Sequence, residues 1–514
     1  MKRAFIYSLL VSFTCISYKS QDIEKLSTEA NNTIDSSADC LTPGEYLQRG
    51  DESFGDFEIM GYLPWWGYTD RGNSEGYYRR YHYSDITQLN ISARIAYRSV
   101  TEDRGLVHGG NLDNTRQVDF GKMITWFRRC SDNPHMKIFL TLTEIKTTLA
   151  HRKETAKLLL PENRTRTINW LMTNYIDKYD LDGIDIDFED HSLDAEYMGL
   201  HYADFIDELC NAMRDRQARG RRKLCTATMA GSDHRRSLIA TPKFINAIDM
   251  LGLQTYSPDK MDHIRWYSGR DQISHAEGWL SKGLPWRKMS FGLALWSSIA
   301  DASKAEGNQL APAGTPGGYN WIDMLKQGGA DSRAYLTSSF HTPGITGRYE
   351  QRYNGLYEIR RKAEWAKDNG ALGVFVWDIA KEPTKNDPSY RKYSYLKLLD
   401  DWKNNPNNYL PIKAVTTLDY YRPGRTITIK LLSSLTREGH WIGVYEFDTS
   451  QPNHIGESLG LAMALPASGN LAIPAAWTNQ MDKNVMYIFK ILKGPTGSGV
   501  RSEDVGTTHP IYVF

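Results

Sequence analysis

The sequence predicts an α/β chain: a (β/α)8 TIM barrel followed by a small all-β sandwich of immunoglobulin-like size. Three observations predict it. Strand-like and helix-like segments alternate between residues 57 and 403, which implies a parallel sheet, and eight such units fit a barrel carrying insertions. One of these strands, the fourth, presents acids on one face and only apolar residues on the other. After residue 404 the helical period disappears and short β-type runs separated by Gly, Pro, Asn and Ser take over.

In chain order, residues 57–62 form the first strand and run into Leu63-Pro64-Trp65-Trp66-Gly67. The second strand is read at 91–97, a helix at 118–128 and the third strand at 137–142. Between 164 and 179, Ile168, Leu171, Met172, Tyr175, Ile176 and Tyr179 recur at helical spacing. That helix hands over to the acidic strand, 181–189. Tyr202, Phe205, Ile206, Leu209 and Met213 mark another helix, stopped near Gly220. Strands follow at 224–229, 250–256 and 289–295. The stretch of about 297–353, rich in Gly, Pro and Ser, is the expected insertion. A helix at 356–367, the eighth strand at 373–377 and a last helix at about 390–402 complete the barrel. Asn404-Asn405-Pro406-Asn407-Asn408 reads as a linker, and 411–514 as the sandwich, with strands near 426–430, 441–447 and 485–491.

The chain has 514 residues and a formal net charge of +1, which gives no support to nucleic-acid binding. Lys2 and Arg3 precede an apolar run, residues 4–16, too short to span a bilayer, so 1–20 reads as an export signal. Cys15 is a candidate lipid-attachment site, although Ser12-Phe13-Thr14 is a poor lipobox. Residues 21–56 are polar and aperiodic, a linker. Cys40, Cys130, Cys210 and Cys225 are even in number and suit pairing outside the cytoplasm, with connectivity open and buried thiols the alternative. Asn31, Asn90 and Asn163 each begin an N-x-Ser/Thr triplet. No His/Cys/acid cluster has metal-ligand spacing and no Gly-rich phosphate loop stands out. We therefore expect a secreted or extracytoplasmic monomer without metal or cofactor.

Side chains on a strand alternate, so Asp185, Asp187 and Glu189 share one face while Ile184, Ile186 and Phe188 share the other. An apolar outer face packs on helices, so the acids look into the barrel mouth. Active sites form at the C-terminal ends of barrel strands, which puts Glu189 at the rim, Asp187 deeper and Asp185 deepest. Neighbouring negative charges and burial oppose ionisation, which suits Glu189 to hold and donate a proton.

Asp182-Gly183-Ile184-Asp185-Ile186-Asp187-Phe188-Glu189 resembles, without a miss, the DGxDxDxE signature of family 18 glycoside hydrolases, the chitinase family. Gly61-Tyr62 with Trp65 resembles its first-strand segment, Tyr256 its sixth-strand tyrosine, and Trp377 the tryptophan that floors its sugar subsite. The resemblance implies retaining, substrate-assisted hydrolysis. Glu189, Asp187, Asp185 and Tyr256 would be catalytic; Gln254, Trp377, Tyr62 and Trp65 would bind substrate. Two departures stand out. The sixth strand reads Gln254-Thr255-Tyr256-Ser257 where the family typically has Met-x-Tyr-Asp, and the third reads Thr141-Leu142-Thr143-Glu144 in place of Ser-x-Gly-Gly. Three readings follow: a chitinase acting on β-1,4-linked N-acetylglucosamine, an endo-β-N-acetylglucosaminidase cutting the chitobiose core of N-glycans, or a non-catalytic sugar-binding lectin. Each partner is a carbohydrate containing N-acetylglucosamine.

Overall fold

The computed structural model describes residues 40–41, 52–68, 76–108, 119–145, 148–189, 194–215, 221–230, 233–256, 272–301, 319–326, 338–339, 349–409, 414–416, 420–421, 426–431, 440–447, 455–465, 471–482, 485–493, 503–507 and 511–513. The expected export signal, including Cys15, lies outside them.

Eight parallel strands close into a barrel: β1 (Glu58–Leu63), β2 (Gln88–Arg94), β3 (Lys137–Thr143), β4 (Gly183–Asp187), β5 (Leu224–Ala230), β6 (Met250–Gln254), β7 (Met289–Ala294) and β11 (Gly373–Trp377). Helices cover the outside, among them Phe120–Arg129, Pro161–Leu171, Ala203–Asp215 and Leu356–Asp368. Outward residues such as Leu89, Ile91, Ile184 and Ile186 join the helices in one large apolar core, while Met60, Tyr62, Met250 and Phe375 cluster separately inside the barrel.

Boundaries differ from the sequence reading where polar residues face inward. β2 starts at Gln88, because Gln88 and Asn90 point into the barrel and Gln88 donates to Asn90 at 2.7 Å. Asn90, first residue of one N-x-Ser triplet, is thus buried in the folded chain. β4 ends at Asp187, its last pair being Thr143 with Asp187, so Phe188 and Glu189 lie just beyond the ladder. The helix expected over 164–179 begins at Pro161 and finishes in a π turn, Met172–Asp177.

Between β7 and β11, β8 (Ser298–Asp301), β9 (Ser338–Ser339) and β10 (Tyr349–Arg352) form a small antiparallel sheet within the expected insertion. Parts of the expected linker pack on the barrel. Cys40 is bonded to Cys130, Glu52 pairs with Arg221 at 3.0 Å, and the Phe54 ring lies 6.4 Å from that of Phe139. Cys210 bridges to Cys225, tying helix Ala203–Asp215 to β5.

The C-terminal part has one sheet of β12 (Ala414–Thr416), β14 (Ile427–Leu431) and β17 (Leu471–Ile473). A second holds β13 (Tyr420–Tyr421), β15 (His440–Phe447), β16 (Ile455–Ala464), β18 (Val485–Lys493), β19 (Glu503–Thr507) and β20 (Ile511–Val513). Ile427, Ile429, Leu471 and Ile473 of the first share a core with Ile442, Val444, Tyr487, Phe489 and Ile491 of the second, which makes a sandwich. It rests on helix Leu356–Asp368, where the rings of Tyr357 and Phe447 are 5.7 Å apart.

Candidate active site

The acidic motif divides by depth. Asp182, just before β4, is fully buried at the barrel base, where Arg128 approaches it at 2.6 Å and Arg221 at 3.0 Å. Its Oδ2 also accepts the Ile138 N–H at 2.6 Å, so this acid pins β4 to β3. Gly183 faces inward, and a Cβ there would meet the Phe139 ring at 2.4 Å. Only glycine fits.

Asp185, one layer up, is fully buried and ringed by hydroxyls. Tyr62 donates to Oδ2 at 2.9 Å and Thr141 at 3.2 Å, while Thr226 and Thr228 donate to Oδ1 at 2.8 and 3.1 Å. Burial pushes the Asp185 carboxyl above its usual range, and these four hydroxyls pull against that. The three threonines come from β3 and β5, the strands flanking β4. Thr141 pairs with Asp185 in the β3 register, and Thr226 does so in the β5 register. Sequence reasoning missed them; the inward period of Thr141 with Thr143, and of Thr226 with Thr228, was the available signal.

At the mouth, the Gln254 amide at the end of β6 donates to Asp187 Oδ1 at 3.2 Å and to Glu189 Oε1. One side chain thus joins the two outer acids. Asp187 is buried and Glu189 half-buried, as fits a group that must reach an incoming ligand. The Glu189 N–H donates to Oε1 of Glu144, a buried acid directly after β3. Tyr256 lies beside them. Burial, then the charges of Glu189, Asp187 and Asp378, hold its hydroxyl well above the usual range, so it is a neutral hydrogen-bond donor. Its ring meets that of Trp296 edge-on at 5.0 Å, a neighbour absent from the sequence reading.

The aromatic residues take different positions. Tyr62, expected to bind substrate, is fully buried with its hydroxyl on Asp185 and Thr228, and so supports the acid stack from below. Its place one residue before the end of β1 sets that depth. Trp377 ends β11 half-buried, 5.5 Å from the Tyr62 ring and 5.9 Å from Trp66. Trp65 is half-buried under the Arg94 guanidinium, 5.7 Å from its ring centre, while Trp66 is 41% exposed. Trp66 and Trp377 therefore make the open aromatic wall of the mouth. Ser257 lies outside the described residues.

Chemically, the rim offers a half-exposed carboxyl, a second carboxylate linked to it through an amide, and a neutral phenol, beside flat apolar rings. That set can donate a proton, hold an amide N–H and an amide oxygen, and stack on a sugar face.

A family model, glycosyl hydrolases family 18, matches residues 58–382. No curated protein sequence matches the chain. Among solved structures, the chitinase ChiW of Paenibacillus sp. strain FPU-7 is similar at 14% identity and a TM-score of 0.52, covering 89% of this chain and 56% of that one. Human YKL-39, solved in the presence of chitooligosaccharides, is similar at 15% identity and a TM-score of 0.51, covering 67% and 98%. The Ostrinia furnacalis group II chitinase catalytic domain 2 is similar at 15% identity and a TM-score of 0.50, covering 68% and 96%. These likenesses are of fold.

Proposed function

The chain belongs to glycosyl hydrolases family 18, and from that premise we propose that it hydrolyses β-1,4-linked N-acetylglucosamine with retention and help from the substrate. The observation that carries this is the single Gln254 amide joining Asp187 and Glu189 at the barrel mouth. Glu189 gives its proton to the glycosidic oxygen as the bond to the anomeric carbon breaks. The carbonyl oxygen of the sugar's own N-acetyl group closes on that carbon, forming an oxazolinium ion. Asp187 accepts the acetamido N–H, Tyr256 donates to the acetamido oxygen, Gln254 turns its Glu189-bound N–H to that oxygen as substrate enters, and Asp185 steadies Asp187 from below. Water then opens the ring, returning its proton to Glu189, so the configuration is retained.

The two disulfides support an extracytoplasmic setting, since such bonds persist where the environment is oxidising.

A second reading is favoured by Gln254-Thr255-Tyr256: cleavage within the chitobiose core of N-glycans, the same chemistry on a different polymer. Mass spectrometry of products separates the two. Chitin oligosaccharides and an N-glycosylated protein are each given to the purified chain. Short N-acetylglucosamine oligomers support the chitinase reading. Intact glycans, with one N-acetylglucosamine left on the protein, support the second. No product from either, with oligosaccharide binding retained, would make this a sugar-binding member and overturn the hydrolase reading.

A further inference from the structure

The ladder around β4 stops at Thr143 with Asp187 on one side and at Ile186 with Ala227 on the other. The peptide between Phe188 and Glu189, one beyond the first unpaired one, has left the sheet, yet the Phe188 side chain beside it is buried. A peptide in such a place needs other partners for its N–H and C=O. Both are taken by buried charged side chains. The Phe188 carbonyl accepts from Arg235 Nη1 at 2.9 Å, and the Glu189 N–H donates to Glu144 Oε1 at 3.0 Å. Arg235 sits in helix Asp233–Ile239, just after β5, and Glu144 directly follows β3. The two charges therefore grip one peptide unit from the two strands flanking β4.

We propose that Glu144 and Arg235 form a two-sided clamp on the Phe188–Glu189 peptide and are positioning residues for Glu189; this rests on the acid role given to Glu189 above. The polarity fits. A carboxylate meets the N–H end of the peptide and a guanidinium the carbonyl end, so both bonds are charge-assisted and roughly twice as strong as neutral ones. Fixing the plane of this peptide fixes the direction in which the Glu189 Cα–Cβ bond leaves it. Arg94, the last residue of β2, lies close enough to Glu144 for their charges to interact. Burial lowers the Arg94 guanidinium pKa, and the Glu144 charge opposes that fall. The Arg94 guanidinium also lies over the Trp65 ring, 5.7 Å from its centre. A glycine at position 144 could not accept the Glu189 N–H. The acid at this point in the third-strand segment, a departure from Ser-x-Gly-Gly, thus acquires a purpose.

The test compares Glu144→Ala, which removes the acceptor, with Glu144→Gln, whose amide oxygen can still accept. Arg235→Met, which keeps the buried stem and removes the donor, reads the other side independently. Two quantities are measured on the full chain: hydrogen–deuterium exchange of the peptide containing the Glu189 amide, and turnover of chitin oligosaccharides. The clamp predicts faster exchange in Glu144→Ala and Arg235→Met. It also predicts a fall in kcat of about 10- to 100-fold, the cost of misplacing a catalytic group by about an ångström, with KM little changed. Glu144→Gln should keep protection and most of kcat. Unchanged exchange and kcat in both Glu144→Ala and Arg235→Met would overturn the clamp. Equal damage in Glu144→Gln and Glu144→Ala would overturn it as well, pointing to charge or packing instead. Lost protection in Glu144→Ala beside a parent protein that turns over neither chitin oligosaccharides nor N-glycans would uphold the clamp and overturn the acid role.

Discussion

Tyr62→Phe removes one oxygen from the interior of the barrel and leaves the ring contacts of Tyr62 with Phe375 and Trp377, at 5.3 and 5.5 Å, in place. What it deletes is the 2.9 Å hydrogen bond to Asp185 Oδ2 and the 2.7 Å contact with Thr228. A hydrogen bond to an ionised group is worth about 1.5–3 kcal/mol and one between neutral groups about 0.5–1.5 kcal/mol. The loss therefore depends on the charge of Asp185. Burial already raises this carboxyl above its unfolded pKa, so the native state holds its proton longer than the unfolded chain does. That contribution is fully present below the unfolded pKa and is lost as pH rises through the folded one. Removing a donor to the carboxylate raises the folded pKa further, so the penalty of Tyr62→Phe grows with pH. Thermal melts of parent and variant across the acid-to-neutral range should show a Tm difference of a few degrees that widens as pH rises. Turnover of chitin oligosaccharides should fall about tenfold, because Asp185, which steadies Asp187, loses one of its four hydroxyl partners. A Tm difference that is zero or shrinks with rising pH would refute the reasoning.

Gln254→Ala cuts the link between Asp187 and Glu189 and removes a donor from the acetamido oxygen; kcat for oligosaccharides should drop about 10²-fold, measured by reducing-end release. Glu382 is buried, its Oε1 accepting the N–H groups of Tyr395 and Leu396 at 3.0 and 3.2 Å, and burial pushes its carboxyl up to about 7. The fold thus keeps a proton there that the unfolded chain releases near 4.5, and that advantage, roughly 3 kcal/mol, is lost as pH rises towards 7. Glu382→Gln should flatten this part of the stability–pH curve in denaturant melts. The paired change Cys210→Ala with Cys225→Ala opens a loop of sequence separation 15 and should cost about 3 kcal/mol, read from the same melts.

The barrel was legible because strand-like and helix-like segments alternate eight times between residues 57 and 403. Asp185, Asp187 and Glu189 could be ranked by depth from the two-residue period alone. Gln254 and Tyr256 were legible only through the resemblance of the sixth-strand segment to that of family 18. The hydroxyls of Thr141, Thr226 and Thr228 were not, because threonine is common in strands and only the register aims all three at Asp185. Glu144 and Arg235 act on a backbone peptide, and no side-chain pattern marks that. Tyr62 shows how a single position matters: one residue from the end of β1, it is a support rather than a contact surface. In the sandwich, β16 is the longest strand but carries Gly456 and Gly460, the latter at φ 69°, which interrupt the β-type pattern.

The most direct test of the central claim sets the parent beside Glu189→Gln on one chitin oligosaccharide, following turnover, binding and the anomeric form of the first product by NMR. The account predicts a β-anomer from the parent, a loss of about 10²- to 10⁴-fold in rate for the variant, and unchanged binding. Equal rates in the two proteins, or an α-anomer as the first product, would contradict it.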